Sequence, residues 1–154
     1  MKVWRICKSS YQSSVFCGSG AEKTGGRWNY KGYPLVYTSE NLSLAALELF
    51  VHVSPGILPT DLIAVCGTLP DSISVEEIKV SDLPTDWRRY PAPAKLKQIG
   101  TKWIIGRSSL ALRVPSAINA LETNILLNPT HTEMKKLKIE NAQPFHFDPR
   151  MFGK

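Results

Sequence analysis

The chain has 154 residues, 43% of them hydrophobic and 21% charged, with a formal charge of +6. That length buries one good core and is short for two, and the composition excludes an intrinsically disordered chain, so a single domain over residues 1–154 is expected. The charge points to an anionic partner or to a solvated basic surface.

Its densest basic cluster, Lys135-Lys136-Leu137-Lys138, lacks interleaved aromatics, so direct binding of nucleic acid is not expected. Three cysteines, Cys7, Cys17 and Cys66, make neither a disulfide framework nor a zinc pattern and fit a reducing cytoplasm. Arg5 breaks the short apolar stretch at the N-terminus before a secretory signal can develop, and the longest apolar run contains Glu48 and is too short to span a bilayer. A cytoplasmic protein with no membrane association is expected.

Residues 3–7 read as an opening strand, followed by an irregular Gly- and Ser-rich stretch that runs past residue 30. Leu35-Val36-Tyr37 is a short strand entered through Pro34. Ser39 is placed to cap the next helix, with Glu40 in its first turn, and that helix is expected to reach about residue 53, before Pro55-Gly56. Leu42, Ala45, Ala46, Leu49, Phe50 and Val53 line one side of it, and Leu44, Leu47 and Val51 make the opposite side apolar too, the pattern of a buried helix. Strands are expected at 62–66 and 73–80, a turn region at 86–93, a helical segment at 94–105 interrupted at Gly100, and strands at 111–114, 123–127 and 145–147. Strands dominate around one central helix, so the fold class is α+β.

Glu48 is the only formally charged side chain between Glu40 and Asp61. A lone carboxylate on an apolar helix is costly unless something compensates for it or uses it. A buried arginine is the ordinary partner, and His52, one turn later, is another. About twenty residues earlier, Gly25-Gly26-Arg27-Trp28-Asn29 lets the backbone come close to a ligand and presents an arginine fork. Taken singly, Arg27 reads as a loop arginine held by a local carboxylate and Tyr37 as a half-buried strand aromatic. Together with Glu48 they point to a site for an anionic ligand with a planar ring.

Other chemistries lack their patterns. Gly18-Ser19-Gly20 is not followed by Gly-Lys-Ser/Thr, Ser116 stands outside any Gly-x-Ser-x-Gly, and His52, His131 and His146 are too widely spaced to signal a metal site.

Several segments resemble the RES domain family, and the resemblance covers most of the chain. They are Trp4-Arg5-Ile6, Phe16-Cys17-Gly18-Ser19-Gly20-Ala21, Gly25-Gly26-Arg27-Trp28-Asn29, Val36-Tyr37-Thr38-Ser39-Glu40 and Ala45-Ala46-Leu47-Glu48. Val114-Pro115-Ser116-Ala117 and Asn124-Ile125-Leu126-Leu127-Asn128-Pro129-Thr130-His131 are similar to its second half. The arginine, glutamate and serine behind the family's name correspond to Arg27, Glu48 and Ser116. One departure is Tyr30, where many members carry proline.

The resemblance implies a toxin of a bacterial toxin–antitoxin pair that consumes NAD+ as substrate, with no separate cofactor and a fold similar to ADP-ribosyltransferases. It also implies a partner antitoxin with an Xre-like helix-turn-helix domain, through which any contact with nucleic acid would pass. Breaking the nicotinamide–ribose bond leaves positive charge on the sugar, which a carboxylate beside it stabilises. Glu48 is expected in that role, with Arg27 on the ribose or pyrophosphate oxygens, Tyr37 against the nicotinamide ring and Ser116 orienting nicotinamide or ribose. Arg5, Trp28 and Asn124 are expected to add substrate contacts. The acceptor of the ADP-ribosyl group is open between water, phosphate and a protein side chain. An RNA-acting toxin and a non-catalytic module in which Glu48 is a structural ion pair are the other readings.

Overall fold

The β-branched and aromatic runs of the sequence pair into one eight-stranded sheet in the computed structural model, which describes residues 1–153. The elements are β1 (Lys2–Lys8), α1 (Ser19–Thr24), β2 (Val36–Ser39), α2 (Leu42–Phe50), β3 (Leu62–Thr68), β4 (Val75–Glu77), α3 (Ala94–Gly106), β5 (Ala111–Pro115), β6 (Thr123–Leu127), β7 (Lys138–Ile139) and β8 (Gln143–Phe145). The strand order is β4-β5-β6-β2-β1-β3-β7, with β8 also paired to β3. Every pairing is antiparallel except β4 with β5.

Register decides what each face carries, because residues opposite each other across a ladder share a face. Val114 pairs with Asn124, Asn124 with Ser39 and Ser39 with Trp4, so one row of four side chains crosses the sheet on a single face. On that face α3 packs Leu96, Trp103 and Ile104 over Leu112, Val114 and Leu126, while α2 packs Ala45 over Ile6, Leu62 and Ala64. The polar pair Asn124 and Ser39 stands where these two apolar clusters meet. The opposite face carries Val3, Val36, Val65, Ala111, Ile125 and Leu127 and is covered by Val15, Phe16, Leu69 and Leu110.

The α+β class stands, and the sheet and its helices differ from the sequence expectation in detail. Ser39 does not cap α2. It ends β2, and Asn41 caps the helix, its side chain accepting from Leu44 N–H at 2.8 Å, an interaction that contributes about 1 kcal/mol. The helix closes at Val51, two residues short of the expected end. Only Leu44 and Ala45 of α2 are buried, whereas Leu47 is 37% exposed and Val51 57%, so burial is one-sided.

Helix α3 runs unbroken through Gly100. A Cβ there would lie 1.9 Å from the Trp28 carbonyl oxygen, so the glycine permits a close helix-to-loop approach instead of breaking the helix. The strand expected at 73–80 shortens to β4, with a 3-10 turn at Val80–Asp82, and the one expected at 145–147 shifts to β8. Helix α1 and the two-residue β7 lie where no element was expected. Among the described residues no helix is long and apolar enough to cross a membrane.

Candidate functional site

Helix α2 aims Glu48 back at the sheet, over the polar pair. Two donors converge on Oε1 of Glu48: Ser116 Oγ–H at 2.7 Å, and the Asn124 side-chain amide. Ser116 is fully buried just beyond β5, and its Oγ accepts the backbone N–H groups of Ile118 and Asn119 at 3.2 and 3.1 Å. With its lone pairs so engaged, the hydroxyl proton is left for Glu48. Asn124 is held from behind by Ser39, whose Oγ–H donates to Oδ1 at 2.7 Å. Among the described residues Glu48 forms no ion pair, so neither a buried arginine nor the exposed His52 compensates it as expected. Neutral donors do that work.

The Gly-Gly turn after α1 carries Arg27 toward the same face. Its Nη1 donates to the carbonyls of Trp87 and Arg89 at 2.8 and 3.3 Å. Burial lowers the Arg27 pKa, and the negative charge of Glu48 opposes that shift. Guanidinium basicity leaves it a cation at neutral pH.

Tyr37 fastens this loop. Its hydroxyl donates to Asn29 Oδ1 at 2.7 Å and accepts from Trp28 N–H at 2.9 Å. A Cβ on Gly26 would lie 2.5 Å from that hydroxyl, so the second glycine of the turn makes room for the tyrosine. Burial pushes the Tyr37 pKa well above its ordinary value and keeps the group protonated as a donor.

Two of the expected substrate contacts sit elsewhere. Trp28 is 2% exposed, its ring packed in the α3 cluster with Leu35, Trp87 and Leu96. Arg5 follows Trp4 on β1 and so points to the face opposite Ser39 and Asn124, where its Nη1 donates to the Val15 carbonyl.

Sequence reasoning missed two residues that shape the site. Ser39 has the chemistry of a helix cap, and its cross-strand pairing with Asn124 has no local signal. Arg88 was read only as part of a turn region. Its Nε and Nη2 donate to the carbonyls of Ala117 and Ile118 at 2.9 and 3.2 Å, gripping the turn that carries Ser116.

Two surface concavities of about 550 and 530 Å³ lie away from this cluster, one beside α3 and β4 and one beside β3 and β7. Neither is lined by Glu48, Arg27 or Ser116. Volume alone therefore directs attention elsewhere, and it is the converging donors on Glu48 that mark the site, because chemistry needs aligned groups more than it needs space.

A mixed sheet with two helices on one face, and a carboxylate on one of those helices fixed by two neutral donors, defines the class. The RES domain model matches residues 2–148, and the chain belongs to that family. It is 39% identical over 153 residues to the protein named "Toxin Res" of Yersinia enterocolitica, covering 98% of this chain and 99% of that one. It is 36% identical over 155 residues to the "Prs ADP-ribosylating toxin" of a Sphingobium species, covering 98% and 96%. Among solved structures, the M. tuberculosis MbcT-MbcA toxin-antitoxin complex contains a chain of like fold, with a TM-score of 0.75 at 14% identity, covering 98% of this chain and 86% of that one.

Proposed function

We propose that this chain is the toxin of a toxin–antitoxin pair and that it consumes NAD+ by breaking the bond between nicotinamide and ribose. The observation that carries the reading is the Glu48 carboxylate, fixed by Ser116 and Asn124 through one oxygen. As the bond breaks, its electron pair leaves with nicotinamide and neutralises the charged ring. The ribose is left as an oxocarbenium-like cation, and a carboxylate preorganised beside it stabilises that charge without reorganising.

Arg27 keeps donors beyond its carbonyl contacts to bind pyrophosphate or ribose oxygens. Tyr37, with its hydroxyl committed to Asn29 and Trp28, offers only its ring, as a stacking surface for nicotinamide. Ser116 and Asn124 act on Glu48. We assign no substrate contact to Trp28 or Arg5, whose side chains are engaged away from the carboxylate.

Degradation of NAD+, with water or phosphate as acceptor, is the first reading. Transfer of ADP-ribose to a protein is the second, favoured by the name of the Sphingobium relative. An antitoxin partner is supported by the named toxin-antitoxin complex of like fold, and that antitoxin is proposed to carry an Xre-like helix-turn-helix domain.

The test is to incubate the purified protein with NAD+, with and without phosphate and, in a further arm, with a bacterial protein extract as acceptor, and identify the products. Hydrolysis is expected to release nicotinamide and ADP-ribose with or without phosphate, and phosphorolysis to release nicotinamide and a phosphorylated ADP-ribose only where phosphate is present. Nicotinamide released only when a protein acceptor is added supports the second reading. Intact NAD+ in all arms overturns both.

A further inference from the structure

We propose that Ser39 is a positioning residue that sets the Glu48 carboxylate by holding the Asn124 amide in one orientation, so that Oε1 is occupied and Oε2 is presented to the ribose. The inference rests on the reading of Glu48 given above and extends it to a residue that does not touch substrate.

Polarity fixes the chain of donors. A carboxylate oxygen only accepts, so Asn124 must turn its NH₂ toward Glu48 and its carbonyl oxygen away. That oxygen meets Ser39 Oγ at 2.7 Å, and an acceptor facing a hydroxyl obliges the hydroxyl to donate. The β2–β6 register places the two residues directly opposite each other, so the contact is built into the sheet. Ser39 is 3% exposed, which leaves water little access to take over its role. Ser116 fills the same oxygen from the other side, and among the described residues no donor reaches Oε2.

Without the Ser39 hydroxyl, Asn124 Oδ1 is left without its donor and the amide is anchored only through its bond to Glu48. The NH₂ still faces the anion, but an amide fixed from one side only lets the carboxylate it holds move from the position that faces the ribose. Substrate binding by Arg27 and Tyr37 does not depend on this pair, so the effect belongs to the chemical step.

The experiment uses the full chain with Ser39→Ala and Ser39→Thr, each confirmed folded by its backbone amide spectrum. NAD+ consumption gives kcat and KM. Ser39→Ala is expected to lower kcat about tenfold with KM changed less than about twofold, and Ser39→Thr, which keeps the hydroxyl, to restore kcat. Unchanged kcat in Ser39→Ala, or a loss carried by KM, overturns the proposal while leaving the NAD+ reading standing. A second measurement is independent of activity: solvent exchange of the Asn124 side-chain amide protons. Protection is expected to fall about tenfold or more in Ser39→Ala, and undiminished protection overturns the relay even if the wild-type chain leaves NAD+ intact.

Discussion

Glu48 illustrates what a single residue reveals in sequence and what it hides. Its isolation among apolar neighbours was legible, because the cost of an unpartnered carboxylate is a local matter. Its partners were not, since Ser116 and Asn124 lie 68 and 76 positions further along the chain and no periodicity reports a contact at that range. Arg27 and Tyr37 were legible as residue types, whereas the engagement of the Tyr37 hydroxyl by Asn29 and Trp28 depends on the fold of the loop. A second carboxylate shows residue-scale control of stability. Glu133 accepts from Lys136 and from the Ser74 hydroxyl and N–H, and these donors, Lys136 foremost, lower its pKa from 4.5 to about 2. A depressed carboxylate contributes stability above its unfolded pKa and loses it as pH falls through the folded one. Glu133→Gln is therefore expected to be less stable than the wild type at neutral pH, and the gap to narrow between about pH 4.5 and 2, as read from urea midpoints. A gap independent of pH contradicts this.

The elements were legible where their signal is local. The strands at 62–66, 111–114 and 123–127 lie within β3, β5 and β6, because β-branched and leucine-rich runs bounded by turns have few alternatives. Helix α2 was found but misdrawn: Ser39 has the chemistry of a cap, yet it belongs to a strand whose pairing with β6 outweighs local propensity. Apolar residues around α2 predicted burial on all sides, although periodicity reports only which faces are apolar and not whether anything covers them.

Gly100 is the clearest case at this scale. Read alone, a glycine weakens a helix; packed under Trp28, it is what lets α3 approach. Gly100→Ala gains helix propensity and is nonetheless expected to destabilise by about 1–3 kcal/mol, since the obstacle is backbone and cannot rotate aside. In a chain of this size that lowers Tm by about 2–12 °C. A variant as stable as the wild type contradicts the packing argument.

At the scale of the whole molecule, the sheet assembles the site by bringing β2, β6 and the end of β5 into one row beneath α2. Strand order is non-local, and nothing in the sequence disclosed that β4 joins β5 in parallel or that β1 separates β2 from β3. That gap explains Arg5, which neighbours Trp4 in sequence and faces away from Trp4's row in the sheet. The net charge of +6 also acts at this scale. If the proposed antitoxin presents an acidic surface, steering predicts an association rate that falls about tenfold or more from low to high salt, measured by stopped-flow mixing of the two proteins. A rate independent of salt contradicts steering.

The central claim is that the charge of Glu48 drives cleavage at the nicotinamide ribose. Glu48→Gln isolates that charge, because glutamine keeps a carbonyl oxygen able to accept from Ser116 and Asn124 while removing the anion. The direct measurement is nicotinamide release from NAD+ by the wild type and by this variant, each shown to be folded. A loss of about 100-fold or more in kcat is the predicted result. Release by the variant at the wild-type rate would contradict the account.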